Sequence, residues 1–232
     1  MSMKARKKVL ILDDEPLMCE MLIDRFADCV TNQDCPYEFE ADVANSAAEW
    51  VERFHSAGHG AGQAPYDVVV LDIRMEGERS GLEASFAMQQ QWGSESPVRI
   101  ICTGYPSYRD CVEATRAGAW DYIVKEDNAD TPLAQLVANS AVARLRQLDL
   151  RREQETLIVL DWLPLNIPDL QPQYEGRLVA LWHEPEIIVV ATGRDAFELE
   201  HSLKGWRRDH EAWEQPFVVQ MPLLNDDRRG ES

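Results

Sequence analysis

The 232-residue chain reads as an α/β protein: a doubly wound, five-stranded parallel sheet, then a long connecting helix, then a small α+β domain of ββαβ order. Three observations predict this. Four short, apolar, β-branched runs and one alternating run are separated by helix-period segments across residues 7–127. The central run, DVVVLD, does not alternate apolar with polar, as expected of a strand buried on both faces. Beyond it, no Gly or Pro interrupts the chain from Leu133 to Leu163, and two strand patterns, a helix and a third strand follow.

The elements can be placed in order. VLIL (9–12) is the first strand, and the helix from Pro16 to about residue 28 turns Leu17, Met21 and Leu22 inward. YEFEADV (37–43) alternates as a second strand. Ser46 caps a helix over 47–55, with Glu49 completing a capping box. HSAGHGAGQAP (55–65) is a Gly-rich loop whose His55 and His59 lack a nearby acidic or cysteine partner, so they read as solvated rather than metal-binding. DVVVLD (67–72) is the central strand. A helix over 82–92, a strand over 98–102, a helix over 107–117 and a strand over 120–124 complete the alternation. Thr131 and Pro132 open the long helix, with Leu133, Leu136 or Val137, Ser140, Ala143 and Leu148 as its apolar stripe. DWLPLNIPDLQPQYEG (161–176) reads as a Pro-broken connector. RLVALW and IIVVATG then form a hairpin, Asp195 caps a helix over 196–212 with Glu198 in its first turn, and PFVVQMP ends the pattern.

Composition narrows the function classes. Net charge is −18, distributed as −11 over residues 1–128, 0 over 129–155 and −7 over 156–232. Duplex DNA is held largely by Lys and Arg on phosphates, so this balance argues against a nucleic-acid partner. No run of 18 apolar residues offers a membrane span, and the basic start MSMKARKK leads into a strand rather than a secretory segment. Five cysteines without a CxxC pair fit reduced thiols, and the expected location is the cytoplasm.

The chemistry concentrates at strand ends. Asp13 and Asp14 follow VLIL, Asp72 ends DVVVLD, Thr103 ends RIICT and Lys125 ends YIVK. In an open parallel sheet the carboxyl ends of the strands line one edge, where ligands bind. Three carboxylates crowded there call for a cation, and hard oxygen donors suit Mg²⁺. A lysine and a threonine beside them make a cradle for a phosphoryl group.

Residues 7 to about 127 resemble a response-regulator receiver domain, a flavodoxin-like phosphoacceptor module of two-component signalling. The matching stretches are KVLILDDEP, YDVVVLDIRM with GLE soon after, RIICTGY and AGAWDYIVKED. The spacings agree as well: 58 residues from Asp14 to Asp72, 31 on to Thr103 and 22 on to Lys125. The resemblance implies that Asp72 accepts a phosphoryl group from a histidine kinase or phosphotransfer protein. It also implies Mg²⁺ held by Asp13, Asp14, Asp72 and the backbone carbonyl of Arg74, with Lys125 and Thr103 on the phosphoryl oxygens and Tyr122 as the switch aromatic. Arg74 and Tyr105, two residues after Asp72 and Thr103, occupy positions that tune dephosphorylation in the family.

The chain departs from the family at two points. Glu126 stands where proline usually follows the lysine, and the loop DIRMEGERSGLE has Glu76 in place of proline and one extra residue before GLE. The expected organisation is a receiver over 1–128, a helix or linker over 129–156 and a ββαβ domain over 157–232. The expected function is a phosphorylation-switched response regulator with a protein-interaction output, no separate catalytic domain and self-association through the long helix. The alternative is a degenerate receiver acting as a constitutive adaptor. In the C-terminal part, His201 and His210 fall on opposite helix faces and His183 lacks a partner at ligand spacing, while Trp182, Trp206 and Trp213 read mainly as core. The downstream partner is not legible in these residues.

Overall fold

A computed structural model describes residues 4–31, 34–56, 64–75, 79–92, 96–125, 131–183, 186–208 and 216–222. Two compact units divide the chain, Met1–Gln147 and Leu148–Ser232.

The first unit alternates β1 (Ala5–Leu12), α1 (Pro16–Thr31), β2 (Tyr37–Ala44), α2 (Ala47–Ser56), β3 (Val68–Leu71), α3 (Ser80–Trp92), β4 (Val98–Thr103), α4 (Tyr108–Arg116) and β5 (Asp121–Val124). All strand pairs are parallel and the order is β2-β1-β3-β4-β5. The chain steps outward from β1 in one direction to β2, then in the other to β3, β4 and β5. The switch point therefore lies between β1 and β3, whose carboxyl ends carry Asp13 and Asp72. Every residue of β3 and β4 is buried, which explains why their sequences do not alternate. Leu10, Leu12, Val69, Leu71, Ile73, Met88 and Ile101 pack into one core with Phe54 and Trp92. At α2 the Ser46 hydroxyl accepts from the Glu49 amide at 3.2 Å, and the Glu49 carboxylate reaches back to the Asn45 amide at 2.8 Å.

Helix α5 (Leu133–Tyr174) belongs to both units. Its first bonds end on the Pro132 carbonyl, which accepts from the Gln135 and Leu136 amides. In the first unit its buried stripe is Ala134, Val137, Ala138, Ala141 and Leu145, which keeps Val137 of the expected stripe and takes near neighbours of its other members. The alanines let the helix sit close to its neighbours at little conformational cost.

Helix α5 also corrects the sequence reading of 161–174, because it runs unbroken through Pro164, Pro168 and Pro172. The three prolines are spaced by four, so the backbone bonds they forfeit fall along one side of the helix. That side is exposed, and water can serve the freed carbonyls. The opposite side carries Val159, Leu163, Ile167, Leu170 and Tyr174 into the core of the second unit.

In the second unit, β6 (Leu178–His183), β7 (Ile187–Gly193) and β8 (Phe217–Gln220) form an antiparallel sheet of order β7-β6-β8. One face packs on α5 through Val179, Leu181 and Met221. The other packs on α6 (Ala196–Arg208) through Ala180, Ala191, Leu199 and Leu203. Asp195 caps α6 as expected, accepting from the Glu198 amide at 2.8 Å. The ββαβ order is thus present, with the distal half of α5 as its missing second layer. Trp182 is buried and meets Trp206 edge-on at 5.1 Å, so both are core residues. His59, His210, Trp213 and the expected continuation of α6 to 212 lie outside the described residues.

Candidate functional site

The carboxyl ends of β1, β3, β4 and β5 bring Asp13, Asp72, Thr103 and Lys125 to one place. Asp13, Asp72 and Lys125 each directly follow the last residue of their strand, and Thr103 is itself the last residue of β4. Lys125 Nζ lies 2.8 Å from Asp72 Oδ2, 2.9 Å from Asp13 Oδ2 and 3.2 Å from Glu15 Oε1. Asp13, Asp72 and Thr103 are buried, as is the Lys125 ammonium stem. Backbone geometry aims the acids. The Glu15 amide donates to Asp13 Oδ1 at 3.0 Å, and the Arg74 amide donates to Asp72 Oδ1 at 3.1 Å. A Cβ at Gly81 would stand 1.7 Å from the Asp72 carbonyl oxygen, so the glycine of GLE lets the start of α3 close on the strand end.

Burial dominates the Asp13 carboxyl and raises its pKa above the ordinary value, against the lowering effect of Lys125 and the Glu15 amide. Burial alone would lower the Lys125 pKa. Its bonds to Asp72 and Asp13 outweigh that cost and hold it above the usual lysine range.

The remaining expected residues are placed as follows. Asp14 is exposed and lies outside the close acid group. Thr103 Oγ1 accepts from the Tyr105 amide at 3.2 Å. Tyr122 is half-buried, and its hydroxyl accepts from the Ser107 amide at 3.4 Å, at the start of α4. Burial raises its pKa. Arg74 and Tyr105, both exposed, meet each other: the guanidinium lies 5.4 Å from the ring centre. Glu76 and Glu126 lie outside the described residues.

Sequence reasoning missed Glu15. Among the described residues, Asp13, Glu15 and Asp72 form a group in which one carboxylate oxygen from each lies within 4.8 Å of the other two. Two oxygens on one Mg²⁺ stand up to about 4.2 Å apart, so small side-chain rotations would bring this set onto one ion. The donor chemistry fits too, since all are hard oxygens, and three carboxylates against one ammonium leave two formal negative charges. The signal for Glu15 was present in LDDEP, where it directly follows the acidic pair.

Comparison with known proteins agrees with this arrangement. Residues 9–137 match the family described as response regulator receiver domain. The regulatory protein AtoC of Escherichia coli (strain K12) is 34% identical over 128 residues, 55% of this chain and 24% of AtoC. The alginate biosynthesis transcriptional regulatory protein AlgB of Pseudomonas syringae pv. tomato is 28% identical over 209 residues, 87% of this chain and 41% of AlgB. The chain thus spans less than half the length of these relatives. Among solved structures, a signal receiver domain of a DNA binding response regulator protein from Colwellia psychrerythraea 34H shares 17% identity, with a TM-score of 0.47 over 61% of this chain and 98% of its own. A two-component response regulator from Clostridium difficile shares 18%, with a TM-score of 0.47 over 61% and 98%. Since the family match takes in more than half of the chain, including all four strand ends of the site, this protein belongs to the response regulator receiver domain family.

Proposed function

We propose that the protein is a response regulator that accepts a phosphoryl group on Asp72 and relays that event through its C-terminal unit. The observation that carries this reading is the Lys125 ammonium, seated 2.8 Å from Asp72 and 2.9 Å from Asp13 at the sheet edge. An Asp72 oxygen attacks phosphorus held on a donor imidazole, the new P–O bond replaces the P–N bond, and the imidazole leaves with a proton. Asp13, Asp14, Glu15, Asp72 and the Arg74 carbonyl are the groups available to hold Mg²⁺. When bound, Mg²⁺ offsets negative charge on the carboxylates and phosphoryl oxygens. Lys125 exchanges a carboxylate partner for a phosphoryl oxygen, and Thr103 turns its hydroxyl from the Tyr105 amide toward the same group. Tyr122 follows, giving up its bond to Ser107. The complete set of acid, hydroxyl and ammonium favours this over an unphosphorylated adaptor. A small phosphodonor such as acetyl phosphate, with Mg²⁺, should shift the protein on a phosphate-affinity gel, and Asp72→Asn or removal of Mg²⁺ should abolish the shift.

The phosphodonor is a histidine kinase or phosphotransfer protein in the cytoplasm. The output is protein contact rather than DNA binding, supported by the charge of −7 over residues 156–232. The name of AlgB points the other way, since it is a transcriptional regulatory protein. Mobility-shift assays at physiological salt should therefore find no sequence-dependent retardation of duplex DNA. Nanomolar retardation would replace this output with a nucleic-acid one.

A further inference from the structure

Helix α4 is tied back toward the phosphoacceptor by a contact that no motif of the sequence announces. Arg79 stands one residue before α3, and its Nη2 donates to Asp110 Oδ1 and, at 2.6 Å, to Glu113 Oε2, both on α4. The Asp110 side chain is only 5% exposed. The other end of the tie is equally local to the site. The Gly81 amide donates to the Ile73 carbonyl at 3.2 Å, and Gly81 presses against the Asp72 carbonyl. The position of α4 is thus coupled, through two residues of chain, to the backbone of Asp72 itself.

We propose that Arg79, Asp110 and Glu113 form a resting-state latch, which holds α4 in place while Asp72 is free and opens when Asp72 carries a phosphoryl group. This rests on the receiver reading above. A contact made in one state and lost in the other shifts the balance between them by its own strength. The buried Asp110 makes the contact matter, because a carboxylate left buried without its cation is costly. The latch is also built to open. One nitrogen of the guanidinium makes both bonds, so the fork is not locked bidentate. Glu113 keeps a second cation, with Arg109 Nε at 2.7 Å. Asp110 lies in the first turn of α4, where the helix dipole favours an anion, and its amide is held by Ser107 Oγ at 3.0 Å. Both acids are therefore compensated if α4 moves and carries Asp110 toward water.

The test is the affinity of the full-length protein for beryllofluoride, a phosphoryl mimic, at saturating Mg²⁺. Arg79→Ala and Asp110→Asn should each bind it about five-fold or more tightly than wild type, the lower end of ordinary coupling between sites. Arg109→Ala, which removes the cation that Glu113 keeps once the latch opens, should not tighten binding. A variant that is merely unfolded loses binding rather than gaining it, so tightening cannot come from general damage. Unchanged or weaker binding in both Arg79→Ala and Asp110→Asn overturns the latch, as does equal tightening in Arg109→Ala. Failure of the wild type itself to bind overturns the receiver reading and the latch with it.

Discussion

Arg74 and Tyr105, two residues after Asp72 and Thr103, meet each other although 31 residues separate them in sequence. A water attacking an aspartyl phosphate has to approach from solvent, and the proposed reading puts these two exposed side chains beside that approach. Arg74→Ala and Tyr105→Ala should each speed loss of the phosphoryl group about three- to ten-fold, a barrier change on the order of 1 kcal/mol, measured by following decay of the phosphorylated protein. The cysteines give a second residue-scale test. Burial pushes the Cys19 and Cys29 thiols up to about 11 and Cys102 up to about 12. A raised thiol pKa favours the protonated form, so at pH 8 only about one Cys19 in a thousand is thiolate, and reactivity should climb toward pH 11. Iodoacetamide at pH 8 should label Cys111 first, the one cysteine of the five that is not buried. Asp13, Asp72, Thr103 and Lys125 were legible in the sequence because each ends an apolar run. Glu15 was offered by LDDEP, where it follows the acidic pair, whereas the Arg79–Asp110 contact was not legible, because it depends on how the residue before α3 meets α4 in space.

At the scale of elements, every strand of the parallel sheet was legible, β3 and β4 as continuous apolar runs buried on both faces and the edge strand β2 by its alternation. The distal half of α5 was not. Its prolines read as breaks because their effect depends on which side of the helix they occupy, and that is set by the sheet packed against the other side. Leu163 sits in that packed face, 8% exposed, about one turn from Val159 on one side and from Ile167 on the other. Leu163→Ala should cost about 2–5 kcal/mol in the stability of the C-terminal unit, read from its denaturant midpoint. Pro168→Ala, on the exposed side, should stabilise the unit by about 1 kcal/mol through the backbone bond it restores. Equal destabilisation by both substitutions would contradict the assignment of the two sides.

For the whole molecule, α5 exposes Leu150, Leu157, Leu160 and Leu165 from its middle onward. An apolar series of this kind on one helix favours association, and we expect a dimer formed through α5. Light scattering at micromolar concentration should give the dimer mass, and Leu150→Glu with Leu157→Glu should return a monomer of unchanged helicity. A wild-type monomer at the same concentration would contradict this. The central claim concerns Asp72. After incubation with acetyl phosphate and Mg²⁺, borohydride reduction converts an aspartyl phosphate to homoserine, and peptide mass mapping locates it. Homoserine at position 72 and at no other aspartate is the predicted result. Modification of Asp13 or Asp14 instead, or the same modification in the absence of Mg²⁺, would contradict it.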